Sequence, residues 1–365
     1  MPLRTANAID FWRGVALASI FVNHVPGIYY EQFTHKNFGI SDSAELFVLL
    51  AGWSVRSLAA NRADPLTMKR MILRVGARGV TLYAAQILIT MLAIGLLAAA
   101  ALWLQNPLLL EWHNSAAVFQ VPVSTHVGLV LLTHQLGYFN ILPLYVVLMF
   151  GAVLLAICHR LAPWLIMPAS LALYLWAIVS QFNLQTWPVE GTWFLNPLCW
   201  QLIFVLGFVL AGEDGLGGFV RRHPLVFRIL GLAGVLLGVL AIIVAFDPDP
   251  MTLPRPVLLF AFDKTFLSPG RLLHALCLAA AFAGVFAVIA PKIPRITSYL
   301  CLLGRNSLYV FCVGSLASLA GQLARFAFGG SLMTDTIILI LGMSLLGLTG
   351  WLSELKDRLR KSSQP

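Results

Sequence analysis

An all-α fold, a polytopic integral membrane protein of about ten transmembrane helices with both termini cytoplasmic, is what this chain predicts, and three observations carry it. Of its 365 residues, 59% are hydrophobic and 11% charged, against roughly 25% charged in a soluble globular protein. The mean hydropathy is +0.85. Apolar runs of roughly 20 residues, enough to cross a hydrocarbon core of about 30 Å, recur along the whole length. The basic residues fall between these runs with a pronounced sidedness. No repeat of fixed period, low-complexity tract or linker separates two cores, so 1–365 reads as a single transmembrane domain.

Hydropathy and helix breakers place the spans at 8–26, 43–61, 78–104, 137–159, 163–182, 196–213, 226–246, 271–290, 304–328 and 332–353. The first run carries Asp10 and Arg13, and no small-residue cleavage pattern follows it before the polar stretch 31–37, so it is a retained helix and not a signal peptide. An even number of spans puts both termini on one side. With that side cytoplasmic, 17 of the 24 Lys and Arg residues lie inside, including Arg4, Arg62, Lys69, Arg70, Arg74 and Arg78. The outer segments hold Lys36, Arg255, Lys264 and Arg271, with Arg325 near a helix end, and the positive-inside rule fixes the orientation. Those outer segments, 105–128, 183–201 and 247–270, are rich in Trp, Asn, Gln, His and Pro, and either cap the bundle or half-enter it.

The net charge of +9 does not signal a nucleic-acid partner, because the basic residues are dispersed among inter-helix loops. The partner this pattern implies is the lipid bilayer. Five cysteines, Cys158, Cys199, Cys277, Cys301 and Cys312, sit mostly in apolar surroundings without C-x-x-C spacing. They read as small buried hydrophobes and indicate neither a metal site nor a disulfide framework.

Chemistry is concentrated in the first two spans. On the first, Arg13 sits toward the cytoplasm and His24 at the outer end, about 16 Å apart along a helix axis. Ionisable groups in a span are costly and should face a polar interior; Asp10 and Arg13 also fit a purely structural i,i+3 pair. The second span opens with Asp42 at an N-cap position and Glu45 three residues on, the spacing of a capping box. That arrangement accounts for Asp42 by itself. Glu45 enters an apolar run near the depth of His24, where a carboxylate orients an imidazole and raises its basicity. This depth match singles out His24 among eight histidines as the candidate general base. Ser41 and Ser43 are near enough to serve as nucleophiles, but neither has a distinguishing context.

Stretch 61–86 carries Lys69, Arg70, Arg74 and Arg78, the last two at i,i+4 spacing running into the third span. A basic helical face at this depth suits anionic lipid headgroups or phosphoryl groups. In the outer segments Trp193 and Trp200 are candidates to stack on sugar faces, and Asn196 and Gln201 to bond hydroxyls; an aromatic interfacial belt explains the tryptophans as well. Arg271 and His274, at the outer start of the eighth span, are candidates for binding a free carboxylate, and helix-end anchoring is the other reading of Arg271.

These residues carry a family resemblance. "IDFWRGVALASIFVNH" (9–24) resembles the first-helix pattern of the membrane acyltransferase-3 superfamily, D-x-x-R-G with an R-x10-H pair, here Arg13 and His24. "RVGARGVTLY" (74–83) is similar to its R-x-x-R-I-x-P-x-Y, with Arg78 and Tyr83 in register; Thr81 stands where that pattern has Pro, and Arg74 lies four residues before Arg78 instead of three. More narrowly, "IFVNHVPGIYYEQFTHKNFGISDSAELFVLLAGWS", "GTWFLNPLCWQLIFVLG", "SPGRLLHALCLA" and "LGRNSLYVF" resemble the OpgC-type succinyltransferases of osmoregulated periplasmic glucans.

The resemblance implies a multi-pass enzyme of the bacterial inner membrane that moves succinyl groups from cytoplasmic succinyl-CoA to glucan hydroxyls in the periplasm. It implies no permanently bound cofactor, with succinyl-CoA as donor, and leaves room for association with glucan-synthesis proteins. Arg13, Arg74, Arg78 and Tyr83 then serve the donor, His24 deprotonates the hydroxyl, and Asp42 or Glu45 orients the imidazole. Competing readings are an acetyltransferase for another envelope glycan, a transporter or flippase that carries donor or glycan without chemistry, and a structural subunit of an export assembly.

Overall fold

The computed structural model describes residues 6–59 and 67–362. Its helices, in chain order, are α1 (Ala8–Asn23), α2 (Ser43–Ala59), α3 (Met68–Trp103), α4 (Ala116–Gln120), α5 (Pro122–Val130), α6 (Ile141–Leu161), α7 (Ile166–Ser180) and α8 (Pro197–Leu210). They continue as α9 (Gly215–Arg222), α10 (Pro224–Ile243), α11 (Pro269–Phe282), α12 (Val285–Ile289), α13 (Pro294–Arg305), α14 (Ser307–Phe328) and α15 (Leu332–Ser362). Among the described residues the only β pairing is an isolated bridge between Gln185 and Thr192. Arg4 and Arg62, counted above toward the cytoplasmic side, lie outside the described residues, as do the side chains of Arg360 and Lys361.

The all-α polytopic class stands. Each expected span coincides with helix, and among the described residues seven helices are long and apolar enough to cross a membrane, or eight when the bent pair Pro197–Leu210 and Gly215–Arg222 counts as one span. The difference from ten arises at α1 and α2, which have 16 and 17 residues and rise only about 24 to 26 Å. Polar ends on these two helices shorten the apolar stretch. The segment between the expected spans 271–290 and 304–328 is the amphipathic helix α13, whose polar face hides its period in a hydropathy window.

The chain gathers into two compact units, one of residues 1–38, 92–106 and 282–365, the other of 39–91 and 107–281. In the first, α1 lies antiparallel against α13, with a Cβ on Gly14 colliding with the Leu300 carbonyl and one on Gly304 colliding with the Asp10 carbonyl. Small residues at a crossing let helix backbones approach closely where lipid supplies no hydrophobic drive. Around this pair, Ser318 donates to the Phe21 carbonyl at 2.9 Å and Gln322 to the His24 carbonyl at 2.5 Å. Buried Asp335, paired with Arg325, accepts the Tyr29 N–H at 2.7 Å and so ties the segment after α1 to α14 and α15.

The second unit repeats the same device with different helices. Here α2 runs antiparallel to α8, and Gly52 and Gly207 face the carbonyls of Phe204 and Leu49. At the far end of α2, Arg56 packs over the Phe208 ring at 5.2 Å and against His159 of α6. Tyr83, in the middle of α3, donates its hydroxyl to the Val130 carbonyl at the end of α5, 2.8 Å away. On α10 only Gly231 and Gly238 are buried, while Leu236 and Leu237 are exposed, as expected of a lipid-facing helix.

Candidate functional site

The segment "ISDSAE" (40–45) turns into α2 through a capping box. Asp42 accepts the Ala44 N–H at 2.8 Å, and Glu45 reaches back to the Asp42 N–H at 3.0 Å. This satisfies two of the N–H groups a helix start leaves open. The local sequence thus places two carboxylates side by side at the head of α2, where the helix dipole also favours negative charge.

Two cations meet them from a segment more than 220 residues away. Arg271, on the first turn of α11, gives Nε and Nη2 to one Glu45 oxygen at 2.9 and 2.6 Å, and the Glu45 side chain is 0% exposed. Lys264 Nζ lies 2.5 Å from Asp42 Oδ2, and Arg271 Nη2 3.6 Å from the same oxygen. Burial opposes ionisation of Asp42, but the adjacent Lys264 and Arg271 charges outweigh it and hold the carboxyl well below the usual carboxylate range. One turn beyond Arg271, His274 closes the row, its Nδ1 2.7 Å from Ser41 Oγ. Residues 41–45 and 264–274 therefore meet as a zipper of alternating charge ended by a hydroxyl–imidazole pair.

The loop that carries Lys264 is held from three sides. Trp200 donates its indole N–H to the Lys264 carbonyl at 3.0 Å, the Asn196 backbone N–H donates to the Thr265 carbonyl at 3.0 Å, and the Tyr174 hydroxyl donates to the Leu267 carbonyl at 2.8 Å. The residues expected to face a sugar, 193–201, lie beneath this loop. Trp193, Asn196 and Trp200 are buried, with Asn196 capping α8 through Leu198 N–H, and Gln201 is locked to Ser170 at 2.7 and 2.9 Å. A Trp–Asn–Trp pattern read as a sugar surface is a brace because the α8 start packs beneath the 263–268 loop. Exposed aromatics in this region are Trp187 and Phe194, the latter 5.7 Å from Lys264 Nζ.

Other expected site residues fall elsewhere. Arg13 is half-buried within α1, and His24 is its C-cap, its N–H returning to the Ile20 carbonyl at 3.0 Å; one helix thus carries both residues of the R-x10-H pair. Arg74 and Arg78 are exposed on one face of α3, and the Tyr83 hydroxyl is engaged by Val130. Asp42 and Glu45, expected to orient an imidazole, take Lys264 and Arg271 as partners, and Arg271 and His274, expected to meet a substrate carboxylate, take Glu45 and Ser41. Sequence reading passed over Lys264 as an outer-loop cation; its place seven residues before Arg271 was the available signal.

The fold and this ion row define an all-α polytopic membrane protein with a built cluster of charged and polar side chains at the head of α2. The chain belongs to the OpgC family: the family model described as OpgC protein matches residues 4–358. Membership indicates an acyltransferase for periplasmic glucans. Neither the curated proteins nor the solved structures yielded a match.

Proposed function

We propose that the whole chain acts as one inner-membrane O-acyltransferase domain that moves a succinyl group from cytoplasmic succinyl-CoA to hydroxyls of osmoregulated periplasmic glucans. The observation that carries the reading is the row of Ser41, Asp42, Glu45, Lys264, Arg271 and His274. Acyl transfer needs a proton acceptor and positive charge beside a developing oxyanion, and this row holds both within a few ångströms. Lys264, with its side chain 32% exposed against 13% for Arg271, is the cation better placed for the free carboxylate that distinguishes succinyl from acetyl. Arg74 and Arg78, exposed and one turn apart, serve the anionic part of the donor, with Arg13.

On the Arg13–His24 spacing, His24 is the base that takes the proton from the glucan hydroxyl. The test is His24→Ala in cells, with succinate ester on the periplasmic glucan measured by mass spectrometry and protein level checked in the membrane. Loss of succinylation at normal protein level, by 100-fold or more on the usual scale of acid–base catalysis, is expected. Retained succinylation removes His24 from the chemistry.

A further inference from the structure

One pair in the row does more than balance charge. Ser41 Oγ and His274 Nδ1 are 2.7 Å apart, and the two residues are 1% and 4% exposed. The ring is gripped by backbone from two elements: a Cβ on Gly39 or on Gly238 of α10 would strike its Cε1 or Nε2 edge. With the proton of the neutral ring on Nε2, Nδ1 is the acceptor and the Ser41 hydroxyl the donor. That is the hydrogen bond by which an imidazole activates a serine. Ser41 precedes Asp42 in sequence, and Asp42 pairs with Lys264 and Arg271.

We propose that Ser41 is a nucleophile and His274 its base, so that the succinyl group passes through an ester on Ser41. This rests on the succinyl-transfer reading above and adds an intermediate to it. In the first step Ser41 Oγ attacks the thioester carbonyl of succinyl-CoA as its proton moves to His274. The C–S bond then breaks and coenzyme A leaves as its thiolate, a far weaker base than an alkoxide. In the second step the glucan hydroxyl attacks the Ser41 ester, its own proton going to the general base of that step. The Ser41 oxygen departs and takes back the proton held by His274. Arg271 stabilises the oxyanion of each tetrahedral intermediate, while Lys264 holds the far carboxylate of the succinyl group. Burial of the pair keeps water from an ester that would otherwise hydrolyse.

The test uses the full-length protein in detergent with isotopically labelled succinyl-CoA and no glucan, quenched in acid and mapped by peptide mass spectrometry. A parallel Ser41→Cys protein offers the donor a stronger nucleophile at the same position, and its thioester is read after the same acid quench. Label on residue 41 in either protein, reduced at least 100-fold by His274→Ala and released when glucan is added, is the expected result. His24→Ala should still load Ser41. A parent protein that succinylates glucan while neither it nor the Ser41→Cys protein carries label at residue 41 overturns the proposal and leaves the transfer reading standing. If the parent transfers no succinyl group at all, the transfer reading fails and takes the intermediate with it.

Discussion

Glu45 and Arg271 set the residue scale. A fully buried carboxylate is tolerable only because a guanidinium meets it with two N–H groups, and removing one partner of such a pair costs about 3–5 kcal/mol. Arg271→Ala and Glu45→Ala should each lower the melting temperature in detergent by several degrees. The double change Glu45→Gln with Arg271→Met should be less destabilising than the sum of the singles, which a thermal melt of the four proteins checks. Asp42 makes a prediction about pH. Its carboxyl is depressed in the fold by Lys264 and Arg271 against the opposing effect of burial, so its contribution is present above the unfolded value of about 3.9 and is lost as pH falls through the folded value. The melting difference between the parent and Asp42→Asn should therefore shrink as pH falls below about 4. The capping box of Asp42 and Glu45 was legible from four consecutive residues. Their cation partners were not, since no local spacing relates residue 45 to residue 271.

At the scale of elements, the molecule depends on glycines at helix crossings. Gly207→Ala puts a methyl on the Leu49 carbonyl, and overpacking of this kind costs about 1–3 kcal/mol or more. Gly151→Ala on α6 meets nothing within 4 Å, and relief of glycine's backbone entropy should leave it neutral or stabilise it by up to about 1 kcal/mol. Melting temperatures of the two variants should move in opposite directions from the parent, or the first only downward. Apolar runs made the long helices readable, from α3 to α15. The crossings were not readable, because a glycine that admits a backbone and one that faces open space look alike in sequence. For the same reason the inward turn of Trp193 and Trp200 was missed: interfacial and bracing tryptophans share a composition and differ only in what packs beneath them.

For the whole molecule, the charge pattern carries a prediction independent of any single contact. With 17 of 24 cationic residues assigned to one side, both termini should be cytoplasmic. Fluorescent-protein fusions at either end should glow, and alkaline phosphatase fusions at the same ends should be inactive; active phosphatase at an end refutes the orientation. Each of the two compact units is built on its own glycine-crossed helix pair, with the R-x10-H residues on α1 in one and the ion row at the head of α2 in the other. The central claim is that this chain performs chemistry on an acyl group and does not merely conduct one. The measurement that tests it most directly supplies purified protein in sealed vesicles with labelled succinyl-CoA on one side and glucan on the other. Labelled succinate ester on the glucan, dependent on the protein, is the expected result. Label that crosses the membrane without becoming esterified, or no movement of label at all, contradicts it.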